Sequence, residues 1–257
     1  MSEAERADDW EDHWGQYAAS ASLNPAQTLR HRAILRALRD LPGRLERLLD
    51  VGSGQGDFLG RAVAADVARE FAGFELSASG VAISRRKVPQ ASFLQVDLFS
   101  APPGASAYNG WATAAVCSDV IEHVDDPIGF LRLLRSYLCD GGHLILTVPG
   151  GPMSKFDHHI GHRRHYDDVS IRETLSAAGF EVEHVWLAGF PFFNLYRMLV
   201  ILRGKRLIAD ASSSDATQLN GVARLVMRAF EILFRFNLRS FPLGWQIVAL
   251  ARKPAAT

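Results

Sequence analysis

The chain has 257 residues, of which 48% are hydrophobic and 22% are charged, and its 28 basic side chains balance its 28 acidic ones. This length and composition indicate a globular protein with enough chain for one large α/β domain. A formal net charge of zero argues against the basic surface that nucleic-acid binding requires, so we expect no nucleic-acid partner. We expect a cytoplasmic protein for three reasons. The chain has two cysteines and no disulfide framework, and its acidic N-terminus lacks a signal-peptide pattern. Its apolar runs are also shorter than the roughly 20 residues of a membrane span.

Helical and extended patterns alternate along the chain. Two helices are predicted within residues 1–44, and the second begins at Asn24-Pro25. Apolar runs predict strands at 47–51, 71–76, 92–96, 111–118, 143–148, 180–187 and 245–251. Helical spacing follows residue 57 and recurs at 79–87, 127–138 and 170–178, whereas Asp140-Gly141-Gly142 predicts a break before the fifth strand. This order predicts a Rossmann-like α/β fold, a doubly wound sheet of seven mostly parallel strands.

The predicted strands and helices belong to a single domain over residues 1–257. Its core comprises residues 45–189 and 243–257, and the N-terminal helices of residues 1–44 are expected to cover a ligand. Residues 190–242 form a helical insertion between the last two strands, where a short hairpin would suffice.

A glycine-rich turn follows the first predicted strand. Gly52, Gly54 and Gly56 alternate with other residues, and Asp50 precedes them at the carboxyl end of the strand. Glycine allows the backbone to turn tightly and to approach a ligand closely. The dinucleotide fingerprint needs Gly-x-Gly-x-x-Gly, but Asp57 stands where its third glycine would be, and an acid there would repel a pyrophosphate. The turn therefore argues against NAD or FAD.

Acidic residues also end the next two predicted strands. Glu75 ends the second strand, where a carboxylate can accept hydrogen bonds from ribose hydroxyls, and Asp97 ends the third, within reach of a base. Together they suit a nucleoside without a phosphate cluster. S-adenosylmethionine fits this description, because its positively charged sulfonium and ammonium groups tolerate an acid such as Asp50.

Three segments carry a family resemblance. Leu48–Asp57 resembles the first motif of class I S-adenosylmethionine-dependent methyltransferases. Cys117–Pro127 resembles the segment after strand four in the subgroup that includes ubiquinone-biosynthesis O-methyltransferases, and Gly141–Pro149 resembles their fifth-strand motif. The resemblance covers roughly residues 45–187 and implies S-adenosylmethionine as cofactor, but it says little about the methyl acceptor.

The resemblance also implies cofactor-binding residues, which are Trp14, Tyr17, Asp50, Gly52, Ser53, Gly54, Glu75, Leu76, Asp97, Leu98, Ser118, Asp119 and His123. The glycine turn would contact the methionine part, Glu75 the ribose, and Leu76, Asp97 and Leu98 the adenine. Ser118 and Asp119 would line the floor near the methyl group. His123 has the alternative of an interior histidine bonded to backbone, and Trp14 and Tyr17 have the alternative of core packing.

A histidine-rich segment follows the fifth predicted strand and offers candidates for catalysis. Four of the nine histidines fall within residues 158–165, so the segment can supply a base near neutral pH. We predict His158 or His159 as that base, with Tyr166 lining the site. Arg163 and Arg164 are candidates for holding an anionic acceptor. Two alternatives are a polar lid and a metal bound by His158 and His162, which Gly161 within their spacing disfavours, so we predict no metal.

The insertion contains a basic amphipathic helix at 222–236, with Arg224, Arg228 and Arg235 on its polar face. Such a helix can lie on anionic lipid at the inner face of the membrane, or it can roof the substrate pocket or join a homodimer. A hydrophobic acceptor is compatible with each. We expect O-methylation of a small or lipid-like metabolite, with N-methylation as second choice and an inactive cofactor-binding scaffold as the alternative from another class.

Overall fold

The computed structural model of the protein describes residues 24–100, 104–211 and 221–255, and of residues 203–211 and 221–224 it describes the backbone alone. One sheet contains the strands β1 Leu45–Val51, β2 Ala68–Glu75, β3 Ser92–Gln95, β4 Ala112–Ser118, β5 Leu138–Pro149, β6 Glu181–Ala188 and β7 Gln246–Arg252. The helices are α1 Pro25–Asp40, α2 Asp57–Ala64, α3 Ala78–Lys87, α4 Pro127–Tyr137, α5 Lys155–His159, α6 Asp168–Ala177, α7 Phe192–Ala211 and α8 Gly221–Leu233. Trp14 and Tyr17 lie outside the described residues.

The sheet confirms the predicted fold. Its strand order is β3-β2-β1-β4-β5-β7-β6, and β7 is antiparallel to both of its neighbours while the other pairs are parallel. Because β7 pairs with β5 and β6, the two separated parts of the predicted core, 45–189 and 243–257, meet in this sheet. The strand order reverses between β1 and β4, and ligands of such sheets bind beyond the carboxyl ends of the strands at that point.

Both faces of the sheet are covered. Leu48 and Val116 pack on one side with residues of α1, α2 and α3, whereas Leu49 and Cys117 pack on the other side with residues of α4 and α6. Neighbouring residues of a strand point to opposite faces, so each covered strand needs apolar residues at every position. This explains the adjacent apolar residues Leu48-Leu49 in β1 and Ala114–Cys117 in β4.

The predicted break at residues 140–142 is wrong. Strand β5 begins at Leu138, directly after α4, and Leu138 pairs with Ala112 across an irregularity in the ladder. The backbone of this segment is paired with the end of β7, because Gly141 N donates to Lys253 O at 3.0 Å and Lys253 N donates to Gly142 O at 2.8 Å. Gly141 adopts a φ of 74°, which glycine tolerates, so the two glycines bend the strand without ending it.

The insertion folds as α7 and α8 and packs against α1. Ala26, Phe193, Phe230 and Phe234 form a small apolar cluster that joins the three helices. Asn237 caps the start of α7, since its Oδ1 accepts a hydrogen bond from Phe192 N at 2.8 Å. Among the described residues, no helix has the length and apolar character that crossing a membrane requires.

Candidate active site

The glycine turn, residues 52–56, is fixed by backbone contacts with β2. Gly52 N and Ser53 N both donate to Phe74 O, at 2.8 and 2.9 Å, and Gly52 has a φ of 78°. A Cβ placed on Gly52 would lie 2.4 Å from Val120 Cγ2, far inside contact distance. The turn therefore requires glycine at position 52 for both its backbone conformation and its packing.

The carboxylate of Glu75 fixes the glycine turn through hydrogen bonds. Its side chain is buried, and its carboxylate accepts hydrogen bonds from Gly54 N at 2.8 Å, Ser77 N at 3.1 Å and Ser77 Oγ at 2.9 Å. Ser77 also caps α3 by accepting from Gly80 N at 3.1 Å. These bonds fix the orientation of the carboxylate while leaving it acceptor capacity for a ligand hydroxyl.

Asp50 is a buried acid beside the turn. Desolvation and the nearby Glu75 raise the pKa of Asp50 to about 8. The Ser53 hydroxyl is also buried, and it has no hydrogen-bond partner among the described residues. A buried carboxylate in such surroundings is stabilised by a positive charge. The turn therefore presents a site for a cationic ligand group.

The ends of β2 and β3 lie side by side, and Val96 N donates to Glu75 O at 2.9 Å. Leu76 is exposed and Asp97 is exposed, with Asp97 Oδ1 accepting from Phe99 N at 3.0 Å. Leu98, in contrast, is buried in the main apolar cluster. The structure thus brings Leu76 and Asp97 together at the surface near Glu75 and places the side chain of Leu98 in the core.

Ser118 and Asp119 meet two residues that sequence analysis did not identify. Ser118 Oγ lies 2.8 Å from Thr147 Oγ1, and Thr147 Oγ1 donates to Asp119 Oδ1 at 3.0 Å. Arg30 of α1 pairs with Asp119, with 2.7 Å between Nε and Oδ2. Asp119 adopts a φ of 53°, which is uncommon for a residue other than glycine and places its side chain in this network. Nothing in the local sequence marks Arg30 or Thr147.

A group of five side chains, here called the histidine cluster, lies beyond β4: Glu122, His123, Asp157, His162 and His165. The rings of His123 and His162 are perpendicular, with centroids 4.7 Å apart. His162 Nδ1 is 3.2 Å from His165 Nε2, and His165 Nδ1 is 3.0 Å from Gly151 O. Burial and the neighbouring His123 lower the pKa of His162 to about 3, so its ring is neutral at neutral pH.

The two acidic residues of the histidine cluster, Asp157 and Glu122, differ in the hydrogen-bond partners of their carboxylates. Asp157 is fully buried and accepts from Ser154 N and Ser154 Oγ, both at 2.7 Å, and from Arg197 at 2.9 and 3.0 Å. Burial alone would raise the pKa of Asp157, but Arg197 and Ser154 outweigh it and lower the pKa. Glu122 is also fully buried, yet neither carboxylate oxygen has a hydrogen-bond partner among the described residues. Burial and the nearby Asp119 raise the pKa of Glu122 well above its ordinary value.

The predicted catalytic residues lie outside this cluster. His158 and His159 end α5 and are exposed, and Gly161 turns the chain with a φ of 87° before His162. His158 and His162 therefore do not share a helical face as a metal pair would need. Tyr166 is buried among core residues, and burial raises the pKa of its hydroxyl. The assignment of His158 or His159 as base stays a prediction, and their exposure gives it no support.

A family model described as a methyltransferase domain matches residues 24–185. The chain belongs to this family. Its matched region begins at α1 and ends in β6, so it contains the glycine turn, Glu75, Arg30 and the histidine cluster.

The methyltransferase family assignment agrees with individual relatives. A Mycolicibacterium smegmatis protein named "Probable S-adenosylmethionine-dependent methyltransferase" is 30% identical over 146 residues, which are 53% of this chain and about half, 52%, of that relative. The fold resembles phosphoethanolamine N-methyltransferase 2 of Haemonchus contortus bound to S-adenosylmethionine, with a TM-score of 0.61, 15% identity, and 96% of this chain and 60% of that one covered. It also resembles the cyclase SpnF, with a TM-score of 0.59, 23% identity, and 87% and 81% coverage.

The residues of this methyltransferase domain fit S-adenosylmethionine, the cofactor that relatives and neighbours of similar fold use. The buried carboxylate of Asp50 would suit the charged methionine part, and the Ser53 hydroxyl, for which the described part of the chain provides no hydrogen-bond partner, lies in the same turn. The fixed carboxylate of Glu75 would accept hydrogen bonds from the ribose, and the exposed side chain of Leu76 would provide apolar surface for the adenine. When bound, the cofactor supplies an activated methyl group.

Proposed function

We propose that the protein transfers the methyl group of S-adenosylmethionine to a hydroxyl oxygen of a small or lipid-like acceptor. The observation that carries this proposal is the buried carboxyl group of Glu122, which has no hydrogen-bond partner among the described residues and lies beside the ring of His162. Both follow β4 or β5 at the ligand side of the sheet. A neutral hydroxyl must lose its proton as it attacks, whereas a neutral amine attacks without prior proton loss. A buried carboxyl group that can bind a proton or a cation near the predicted methyl-transfer floor therefore supports an oxygen acceptor.

N-methylation is the second candidate. One neighbour of similar fold is named as a phosphoethanolamine N-methyltransferase, and this supports an amine acceptor as the alternative. Arg163 and Arg164, the candidates for an anionic acceptor group, both contact Asp125, through its carboxylate and its carbonyl respectively. Because these two guanidinium groups are already engaged, an anionic acceptor is less favoured than a neutral apolar one.

The insertion supports a hydrophobic acceptor that comes from a membrane surface. Apolar side chains are exposed along α7 and α8, namely Leu195, Met198, Leu199, Leu202, Leu225, Val226 and Ile232. Arg228 and Arg235 are exposed on the same segment. Exposed apolar residues combined with basic residues suit peripheral contact of a cytoplasmic protein with anionic lipid at the inner face of the membrane.

A vesicle sedimentation experiment tests this contact. We expect the protein to sediment with anionic vesicles at low salt and not with neutral vesicles. Failure to sediment with either, together with a homodimer in light scattering, would assign this surface to a second copy.

The reaction is tested by incubating the purified protein with S-adenosylmethionine and matched pairs of aromatic alcohols and amines. We expect S-adenosylhomocysteine with the hydroxyl compounds. A Glu75→Gln variant should lose this product through weaker cofactor binding, whereas Glu70→Gln on the exposed part of the same strand should retain it. Product with amines only would support N-methylation. Cofactor binding in calorimetry without product from any acceptor would support the scaffold alternative.

A further inference from the structure

Three members of the histidine cluster have the arrangement of a metal-binding site. A carboxylate oxygen of Glu122 and one ring nitrogen each of His123 and His162 all lie within 4.8 Å of one another. A tetrahedral zinc ion with bonds of about 2.1 Å holds its ligands about 3.4 Å apart. Small side-chain rotations would therefore close the three atoms around one ion.

Glu122 provides an independent reason to expect a cation there. Its side chain is fully buried, and neither oxygen accepts a hydrogen bond from the described residues. The nearby cation is Arg30, but its guanidinium is paired with Asp119 at 2.7 Å. Buried carboxylates are ordinarily paired, protonated or bound to a metal. A metal ion would satisfy Glu122 without the loss of its charge.

Hydrogen bonds fix which nitrogen of His162 is available. Gly151 O can only accept, so His165 Nδ1 carries the proton in the 3.0 Å bond between them. In a neutral ring His165 Nε2 is then an acceptor, and His162 Nδ1 donates to it at 3.2 Å. The lone pair of a neutral His162 is consequently on Nε2. Metal-binding histidines usually have their second nitrogen fixed by such a bond.

The other acidic member of the cluster is unsuitable as a ligand. Asp157 lies 3.9 Å from His162 Nδ1 and 4.0 Å from His165 Nε2, within the range of a possible ligand set. Its carboxylate, however, already accepts four hydrogen bonds from Ser154 and Arg197. Those two histidine nitrogens are also bonded to each other. Asp157 and His165 thus position His162 and do not bind the ion.

We propose that Glu122, His123 and His162 bind a divalent first-row transition metal ion of the zinc class. Two imidazoles and one carboxylate suit such an ion better than magnesium or calcium. Three protein ligands leave a fourth position open, as in catalytic zinc sites, and the site follows the β4 residues that line the methyl-transfer floor.

This inference rests on the proposed O-methylation and narrows the acceptor to a compound whose hydroxyl binds the ion. Coordination lowers the pKa of the hydroxyl, and its proton passes to solvent. The acceptor oxygen then forms a bond to the methyl carbon as the carbon–sulfur bond breaks. The electron pair of that bond returns to sulfur, and the sulfonium becomes a neutral thioether.

Metal binding is tested without any acceptor. The metal-stripped full chain is titrated with cobalt(II) chloride and followed by visible absorption, then by calorimetry with zinc chloride. We expect one ion per chain and the intense visible bands of tetrahedral cobalt. Glu122→Gln and His162→Gln should each weaken binding by at least tenfold, while the exposed His184→Ala on β6 should bind as the wild type does. Circular dichroism and S-adenosylmethionine titration verify that the variants fold.

The outcomes separate this inference from the proposed function. Absence of cobalt and zinc binding, or equal loss in His184→Ala and His162→Gln, would overturn the metal site. Unchanged product formation from hydroxyl acceptors after chelation would also overturn it while leaving O-methylation standing. Normal metal titration with product from amines only would overturn O-methylation and leave the metal site standing.

Discussion

The cofactor side and the acceptor side of the site each contain a buried glutamate, and the two glutamates have opposite surroundings. Glu75 accepts three hydrogen bonds from the chain, whereas Glu122 has no hydrogen-bond partner among the described residues. The cofactor side is thus completed by local backbone geometry. On the acceptor side no described residue satisfies the carboxylate of Glu122, and this difference is the reason that we propose a bound cation there.

The largest expected effect of a substitution is a loss of cofactor affinity in the glycine turn. Gly52→Ala should weaken S-adenosylmethionine binding by about 100-fold or more, because the new Cβ would lie 2.4 Å from Val120 Cγ2 at a φ of 78°. Gly43→Ala is the matched control, since Gly43 has a φ of 75° but no atom within 4 Å of its Cβ position. The control should lose about 1 kcal/mol of stability and no cofactor affinity. Calorimetry measures both affinities, and an equal loss in the two variants would mean that backbone strain alone decides the effect.

On the acceptor side, Arg197→Ala should lower the free energy of unfolding by about 3 kcal/mol, because it leaves the fully buried Asp157 without its cation. Cofactor affinity should stay within about threefold. The exposed pair Arg172 and Asp168 provides the control, and Arg172→Ala should cost about 0.5 kcal/mol. Denaturant unfolding monitored by circular dichroism gives these values. A loss of cofactor affinity as large as that of Gly52→Ala would contradict the separation of the two sides.

A smaller effect is expected on the pH dependence of cofactor affinity, which Asp50 on the cofactor side should determine. The raised pKa of Asp50, about 8, means that Asp50 is mostly protonated at pH 6 in the free protein. A cation that binds the ionised form should therefore bind about tenfold more tightly at pH 7 than at pH 6. Asp50→Asn should abolish this dependence. The stability of the fold depends on pH in the opposite direction to the cofactor affinity. The raised pKa of Asp50 stabilises the fold at low pH, and this contribution is lost as the pH rises from about 4 to 8. A flat affinity profile in the wild type would show that Asp50 does not face the cofactor's charge.

The geometry of the glycine turn was predictable from the sequence because its determinants are local. Gly52 and Asp50 are close neighbours in the chain, and Glu75 follows from the rule that parallel strands present their carboxyl ends at one edge. The fold followed from the alternation of apolar strands and amphipathic helices. The break predicted at residues 140–142 failed because Gly141 and Gly142 pair with Lys253, a contact far away in the chain.

The acceptor side was not predictable, because its contacts join distant segments. Arg30 reaches Asp119 from a helix about 90 residues earlier, and Arg197 reaches Asp157 from the insertion. Sequence clustering favoured His158 and His159, but a turn of the chain at Gly161 brings His162 to Glu122 instead. The density of histidines drew attention to this segment, and the assignment of an individual base within it stays a prediction.

Titration of S-adenosylmethionine into Glu75→Gln and Glu122→Gln tests the central claim most directly. If cofactor binding does not depend on the acceptor side, Glu75→Gln should weaken S-adenosylmethionine binding by about tenfold or more, as expected for the loss of charge-assisted hydrogen bonds to a ligand. The second should bind the cofactor within about threefold of the wild type while losing product formation. Equal losses of affinity in the two variants, or no binding to the wild type, would contradict the account.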